Sequence, residues 1–348
     1  MFNVTKTLAS AVLIIAGSQA GAQVNITGET TAPAQVPAQV MFGVAELAAS
    51  AGIADIQISA GQTLTNSVQN VAEGKTDIAT APLILPFLMS KGAGPYASIG
   101  AEKGAEMAAG LSVLYTYRMS VFGLGTYESS DFAGWESVPG ATIYNGPPRG
   151  AALNKARAMV RLVHGMDEGD GYTGIQVNWG QAGATMTDGS ADAFILPMAF
   201  PDARYSQAAS SGAMVVHSFP KDVFESEAGT NFGKAPGSAA VVVEITEDMV
   251  GPNIKVVSED GFFRGYADVG GDVVSTSMDE ELAYQLTKTF IDGLDAIKAR
   301  TPAMPTSWLG ETEVAFTGMC GPNPLSYHPG AVRAWEEAGF TLPDCAKP

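Results

Sequence analysis

Two glycine-bearing stretches, Thr27-Gly28-Glu29-Thr30 and Asn145-Gly146-Pro147-Pro148-Arg149-Gly150-Ala151, each stand between an apolar run of strand character and an amphipathic run of helical spacing. A loop that runs into a helix start presents backbone N–H groups without intrahelical partners, together with the positive end of the helix dipole. That is chemistry for gripping a carboxylate, sulfonate or phosphate. Arg149 adds a guanidinium able to clamp a carboxylate through two parallel N–H bonds, unless it is simply a solvated surface cation. A third donor-rich turn, Gly61-Gln62-Thr63-Leu64-Thr65-Asn66, offers Gln62, Thr63 and Asn66 for the same task; its plainer reading is an ordinary helix cap. Trp179 and Phe194, with Tyr144, fall at strand ends near the second loop and are either cleft walls or core.

Covalent catalysis finds no footing in these residues. The sequence has no Gly-x-Ser-x-Gly elbow, no phosphate-binding loop signature and no zinc signature. Its two cysteines and three scattered histidines (His164, His217, His328) have no ligand spacing, so neither a metal nor a cofactor is expected. Asp77 and Asp192 could serve as an acid/base pair, but each sits where a turn enters a strand. Bonding to local backbone N–H groups is the better expectation there.

The elements that must position these loops repeat. In the first block an apolar start, Val24-Asn25-Ile26, leads into Thr27–Thr30, then a helix pattern (Val40, Met41, Val44, Leu47), a strand at Asp55–Ser59 and a second helix pattern. The block ends at Gly74-Lys75-Thr76-Asp77 and a run closing on Pro82. The second block follows the same order. Strand Ala141–Tyr144 precedes the Arg149 loop, and a helix with Leu153, Ala156, Met159, Val160 and Val163 on one face comes next. A strand at Gly174–Trp179 follows, then Gly189-Ser190-Ala191-Asp192 and a run closing on Pro197. Gly-x-x-Asp-x-x-x-x-Pro occurs in both blocks. Strands alternating with helices predict parallel sheets covered on both faces. Two such blocks predict two similar lobes facing each other across one cleft, because ligands of open α/β sheets sit beyond the carboxyl ends of the strands. The fold class expected is therefore α/β, two-lobed, with the ligand cleft between the lobes. Strands at Ala213–His217, Ala239–Val243, Ile254–Val257 and Gly265–Thr276 follow. A capping box at Ser277 and Glu280 then opens a helix running to about Lys298.

Composition narrows the partners. The chain has 348 residues, suits about two domains, and carries 46% hydrophobic residues, enough for sizeable cores. Its net charge of −17 argues against nucleic acid and anionic lipid as partners. Lys6, an apolar stretch from Leu8 to Gly17, and Ala20-Gly21-Ala22 describe a secretory signal with cleavage after Ala22. The apolar stretch is too short to span a bilayer, and no later segment is long and apolar enough to do so, so the mature chain is expected to be exported without membrane insertion. In an oxidising compartment Cys320 and Cys345 are expected to form one disulfide.

The order of these motifs resembles the solute-binding subunits of TRAP transporters, in the TAXI branch, over nearly the whole mature chain. The matching pieces include Gly74-x-x-Asp77, Asp131-Phe132-Ala133-Gly134, Gly146-Pro147-Pro148-x-Gly150 and Asp188–Ala193. The late helix Glu281–Lys298, Phe316-Thr317-Gly318-Met319 and His328-Pro329-Gly330-Ala331 complete the set. The resemblance implies a periplasmic receptor that closes on a small organic anion, including dicarboxylates and acidic amino acids, and delivers it to a TRAP membrane permease driven by an ion gradient. The first loop lacks the family's run of glycines, and Arg149 stands where a small hydroxyl residue is usual. The expected organisation is a signal at 1–22, a first lobe at 23–125 completed by 261–348, and a second lobe at 126–260, with crossings near Ser120–Thr126 and between about Val241 and Ala267. A binding protein of an ABC or tricarboxylate transporter, or an exported enzyme on the same scaffold, are the alternative readings.

Overall fold

A computed structural model describes residues 23–348; the expected signal, Met1–Ala22, lies outside them. The first half contains β1 (Val24–Glu29), α1 (Val36–Ser50), β2 (Ala54–Ser59), α2 (Leu64–Ala72), β3 (Ile78–Pro82), α3 (Ile84–Ser90) and α4 (Ala101–Ala109). A long strand, β4 (Leu111–Tyr127), carries the chain into the second half. There follow β5 (Thr142–Tyr144), α5 (Ala151–His164), β6 (Thr173–Ile175), α6 (Ala182–Thr187), β7 (Ala193–Met198), α7 (Ala203–Ala209), β8 (Met214–His217), α8 (Lys221–Glu225), α9 (Glu227–Gly233), β9 (Ser238–Glu244) and β10 (Ile254–Val257). The return strand β11 (Phe262–Ser275) leads to α10 (Glu280–Asp292), α11 (Leu294–Lys298), α12 (Val314–Thr317) and α13 (Pro329–Glu337).

One curled sheet runs through both halves in the order β2-β1-β3-β11-β4-β7-β5-β6, with β9 on β11, β8 on β4 and β10 on β8. Within each half the repeat units pair in parallel, β1 with β2 and β3, and β5 with β6 and β7. The parallel pairing expected of the β-α-β units is joined by antiparallel pairing at the crossing strands. β4 and β11 run antiparallel to each other and to β3, β7, β8 and β9, because each is a crossing strand rather than a member of a β-α-β unit. Ser120 of β4 pairs with Asp268 of β11, and the register shifts between Asp268 and Val269. Such an irregularity bends a strand and sharpens its twist. It falls where β11 passes from β9 to β3, and next to Val121, where β4 begins to pair with β7.

The apolar patterning explains the packing. β3 is buried along its whole length, which suits a strand covered on both faces. The α5 stripe of Leu153, Ala156, Met159 and Val160 is buried, the last three in one cluster with Phe122, Ile143 and Tyr266. Fully burying a Met or Val side chain contributes about 1.5–3 kcal/mol. Tyr115 stacks on Phe290 of α10, with ring centroids 3.9 Å apart, and this ties the C-terminal helices to the first half.

Three local expectations are revised. The helix after Ser277 starts at Glu280, and its cap is Asp279, which accepts from Leu282 N at 2.9 Å. Ser277 instead bonds the Ser275 hydroxyl. The helix breaks at Gly293, so Leu294–Lys298 is a separate turn. The strand read as Gly174–Trp179 ends at Ile175, and Trp179 opens a short 3-10 turn.

The internal repeat has a physical counterpart. Asp77 Oδ2 accepts from Thr27 N at 2.8 Å, and Asp192 Oδ2 accepts from Thr142 N at 2.7 Å; both pairs are 50 residues apart in sequence. The carboxylates bond backbone N–H groups, as expected, but on the neighbouring strand rather than locally.

Candidate functional site

The carboxyl ends of β1, β2 and β3 face those of β5 and β7 across a cleft of about 310 Å³. Thr31, Gln35, Gln62 and Thr63 line it from the first half, Arg149, Gly150 and Trp179 from the second, and Ser120 and Asp268 from the crossing strands. Three helices begin on this wall, α1 after Gln35, α2 after Thr63 and α5 after Gly150, and none has a side-chain cap bond. Their first-turn amides therefore lack side-chain acceptors, and their dipoles favour negative charge at the wall. Local sequence explains these starts. Pro37 presets the first turn of α1, and Gly150 adopts φ 112°, a conformation in which a Cβ would be strained. A fourth helix start behaves differently. The carboxylate of Asp202 caps α7, accepting from Arg204 N at 2.9 Å and Tyr205 N at 3.3 Å, so that end is already neutralised.

Charge in the cleft is unevenly matched. Four charged residues line it: Arg149, Asp202, Arg204 and Asp268. Arg204 is held by Asp202, with Nη2 3.2 Å from Oδ2, and lies over the Trp179 ring at 5.2 Å. Burial is the largest single influence on this guanidinium and works to lower its pKa, but the charge and hydrogen bond of Asp202, with Tyr205 and Tyr144, together outweigh it, and the net direction is upward. Asp268 Oδ1 lies 2.6 Å from Lys155 Nζ of α5. Arg149 is exposed on the wall and makes no ion pair among the described residues. One cation thus remains uncompensated beside three uncapped helix starts.

The structure gathers Gln62, Thr63, Arg149, Gly150, Ala151 and Trp179 into this cleft. Thr27, Gly28, Glu29 and Thr30 lie outside it, because β1 continues through Glu29 and the loop that reaches the cleft is Thr31–Gln35. Thr27 clasps Asp77, Gly28 packs under Ile56 and Met41, and Glu29 accepts from Asn70 and Thr76. Thr30 is buried against Thr80. Asn66 sits in the first turn of α2, off the wall, its N–H donating to Thr63 O. Asn145 is occupied by Glu168 and Gln176, and Gly146 packs behind Trp179. Phe194 is core, edge-on to Tyr127. Sequence reading did not reach Ser120, Asp268, Asp202 and Arg204. For the last two a signal existed: Pro201-Asp202 ahead of a short helix is a capping pattern. Cys320 and Cys345 are joined in a disulfide that ties the segment after α12 to the chain end.

An α/β chain whose two halves share a pair of crossing strands and face each other over a cleft has the architecture of the two-lobed periplasmic solute-binding proteins. Residues 40–339 match the NMT1-like family, and the chain belongs to that family. No curated protein matches it. Among solved structures, a chain from Bordetella bronchiseptica RB50 is similar at 15% identity and TM-score 0.55, over 91% of this chain and 98% of that one. A protein described as the periplasmic sulfonate-binding protein SsuA of a sulfonate ABC transporter from Methylobacillus flagellatus KT is similar at 11% identity and TM-score 0.54, over 92% and 98%. A TRAP periplasmic solute-binding protein from Ralstonia eutropha H16 with bound (S)-2-acetolactate has TM-score 0.45 at 14% identity, over 92% and 86%.

Proposed function

We propose that this protein is a periplasmic receptor that binds a small organic anion of the carboxylate class in the interlobe cleft and delivers it to a TRAP-type permease. The observation that carries the reading is Arg149, an unpaired cation on a wall where three helices start without side-chain caps. In this reading residues 23–125 with 261–348 form one lobe and 126–260 the other, and the lobes close about the crossing near Ser120 and Asp268. A ligand drives closure only in so far as it binds the closed form better than the open one.

The test is a thermal-shift screen of the mature protein against organic acids, repeated with Arg149→Ala. A ligand that prefers the native state raises the melting point. The reading expects at least one acid to do so, with the shift reduced in the variant. If no acid raises the melting point in either protein, the reading fails. The TRAP assignment rests on the motif resemblance. A second reading, delivery to an ABC importer, is favoured by the similarity to the sulfonate-binding SsuA chain. Reconstituting transport with each class of membrane partner separates the two.

A further inference from the structure

The proposal that the cleft is a solute site can be taken one step further, to the class of solute. We propose that the ligand is an amphiphilic monoacid, with a single carboxylate or sulfonate head on an aliphatic or aromatic body. The cleft holds one uncompensated charge, on Arg149. The charge of the other cation on the wall, Arg204, is matched by Asp202, and its Nη2 also donates to the Pro197 carbonyl; its Nη1 is buried without a hydrogen-bond partner. Among the residues that line the cleft a second acid group would find no second cation free of a carboxylate; Arg118, in the adjoining pocket, faces the Trp308 and Phe316 rings.

An α-ammonium fares no better, because it needs a free carboxylate. Asp202 is taken up by Arg204 and by the N–H groups of Ala199, Arg204 and Tyr205. The charge of Asp268 is matched by Lys155, whose Nζ lies 2.6 Å from Oδ1, although that oxygen accepts no hydrogen bond. Between these charged points Val36, Leu64, Leu85, Met119, Met198 and Trp179 form apolar wall, beside the polar side chains of Thr31, Gln35, Gln62, Thr63, Thr65 and Ser120. Against the apolar part a hydrocarbon body gains from leaving water.

The experiment is calorimetric titration of the mature protein with octanoate, phenylacetate, succinate and glutamate at several temperatures. The expected result is that octanoate or phenylacetate binds at least tenfold more tightly than succinate and glutamate. The winning monoacid should show a negative heat-capacity change, the mark of apolar burial. Leu64→Gln, with an unchanged melting curve, should weaken the winning monoacid and leave the weaker acids as they were. Tighter binding of succinate or glutamate, still lost in Arg149→Ala, would overturn the monoacid assignment and leave the receptor reading standing. No binding by any of the four acids, in wild type or Arg149→Ala, would overturn both.

Discussion

Lys155 of α5 places its ammonium 2.6 Å from the carboxylate of Asp268, at the position where β11 shifts register against β4. The same ammonium donates to Ala267 O at 2.6 Å, and both side chains are about one-tenth exposed. The ion pair joins the first helix of the second half to the crossing strand β11. Removing one partner of a buried pair strands the other charge, at a cost of about 3–5 kcal/mol. Lys155→Met should therefore lose stability of that order in urea unfolding, and Lys155→Met/Asp268→Leu should recover most of it. A double variant no more stable than the single one would mean that the pair's charges are not what matters.

Arg149→Ala should weaken the acid identified in the screen at least tenfold, about 1.4 kcal/mol. Wild-type affinity should also fall as salt is raised, since the cation is exposed and open to screening. Equal affinities of the two proteins by calorimetry would take Arg149 out of the site.

Asp272 is fully buried on β11 and accepts from Tyr115 Oη at 2.8 Å, Thr80 Oγ1 at 2.9 Å and Tyr117 Oη at 3.1 Å, with no cation beside it. Burial pushes its pKa up to about 6, whereas an unfolded aspartate titrates near 3.9. The folded state thus holds the proton more tightly. The stabilisation from that proton is complete below about pH 4 and is lost as the pH rises through 6. Both tyrosines are themselves held well above their ordinary range by burial and stay protonated throughout. Relative to Asp272→Asn, wild type should lose roughly 3 kcal/mol between pH 4 and pH 7. Parallel stability curves for the two proteins would refute this.

The Cys320–Cys345 bridge spans a sequence separation of 25. Closing a loop of that length restricts the unfolded chain by about 3–4 kcal/mol in the entropy model. Reduction, or Cys320→Ser with Cys345→Ser, should lower urea stability accordingly. The intact mass of exported protein should be two hydrogens short of the dithiol form, and two free thiols there would contradict the bridge.

Periodicity made the repeated β-α-β-α-β units and the α5 stripe legible, because burial on one helix face leaves a direct trace in residue order. The second-half loop was legible for the same reason: Gly146, Gly150 and the helix that follows form one continuous signal. The first-half loop was placed too early. Thr27–Thr30 has the composition of a turn, but pairing with β2 holds it extended through Glu29, and strand pairing with a distant segment is invisible in local composition. The crossings were expected near Ser120–Thr126 and between about Val241 and Ala267, but the partnership of the two strands was not. Ser120 and Asp268 meet across almost 150 residues of chain, and nothing local in either segment announces the other. Arg204 and Asp202 were missed because α7 is only seven residues long, too short to show a helical period.

The crossing strands also govern how the molecule bears load. The described chain starts in β1, and its last residues pack beside Tyr327 and Val113, so both ends emerge from the same half. The other half hangs from β4 and β11, which are hydrogen-bonded side by side. Tension applied between the two ends would pass through the first half and leave the second slack. The first half would rupture before the pendant one felt any force.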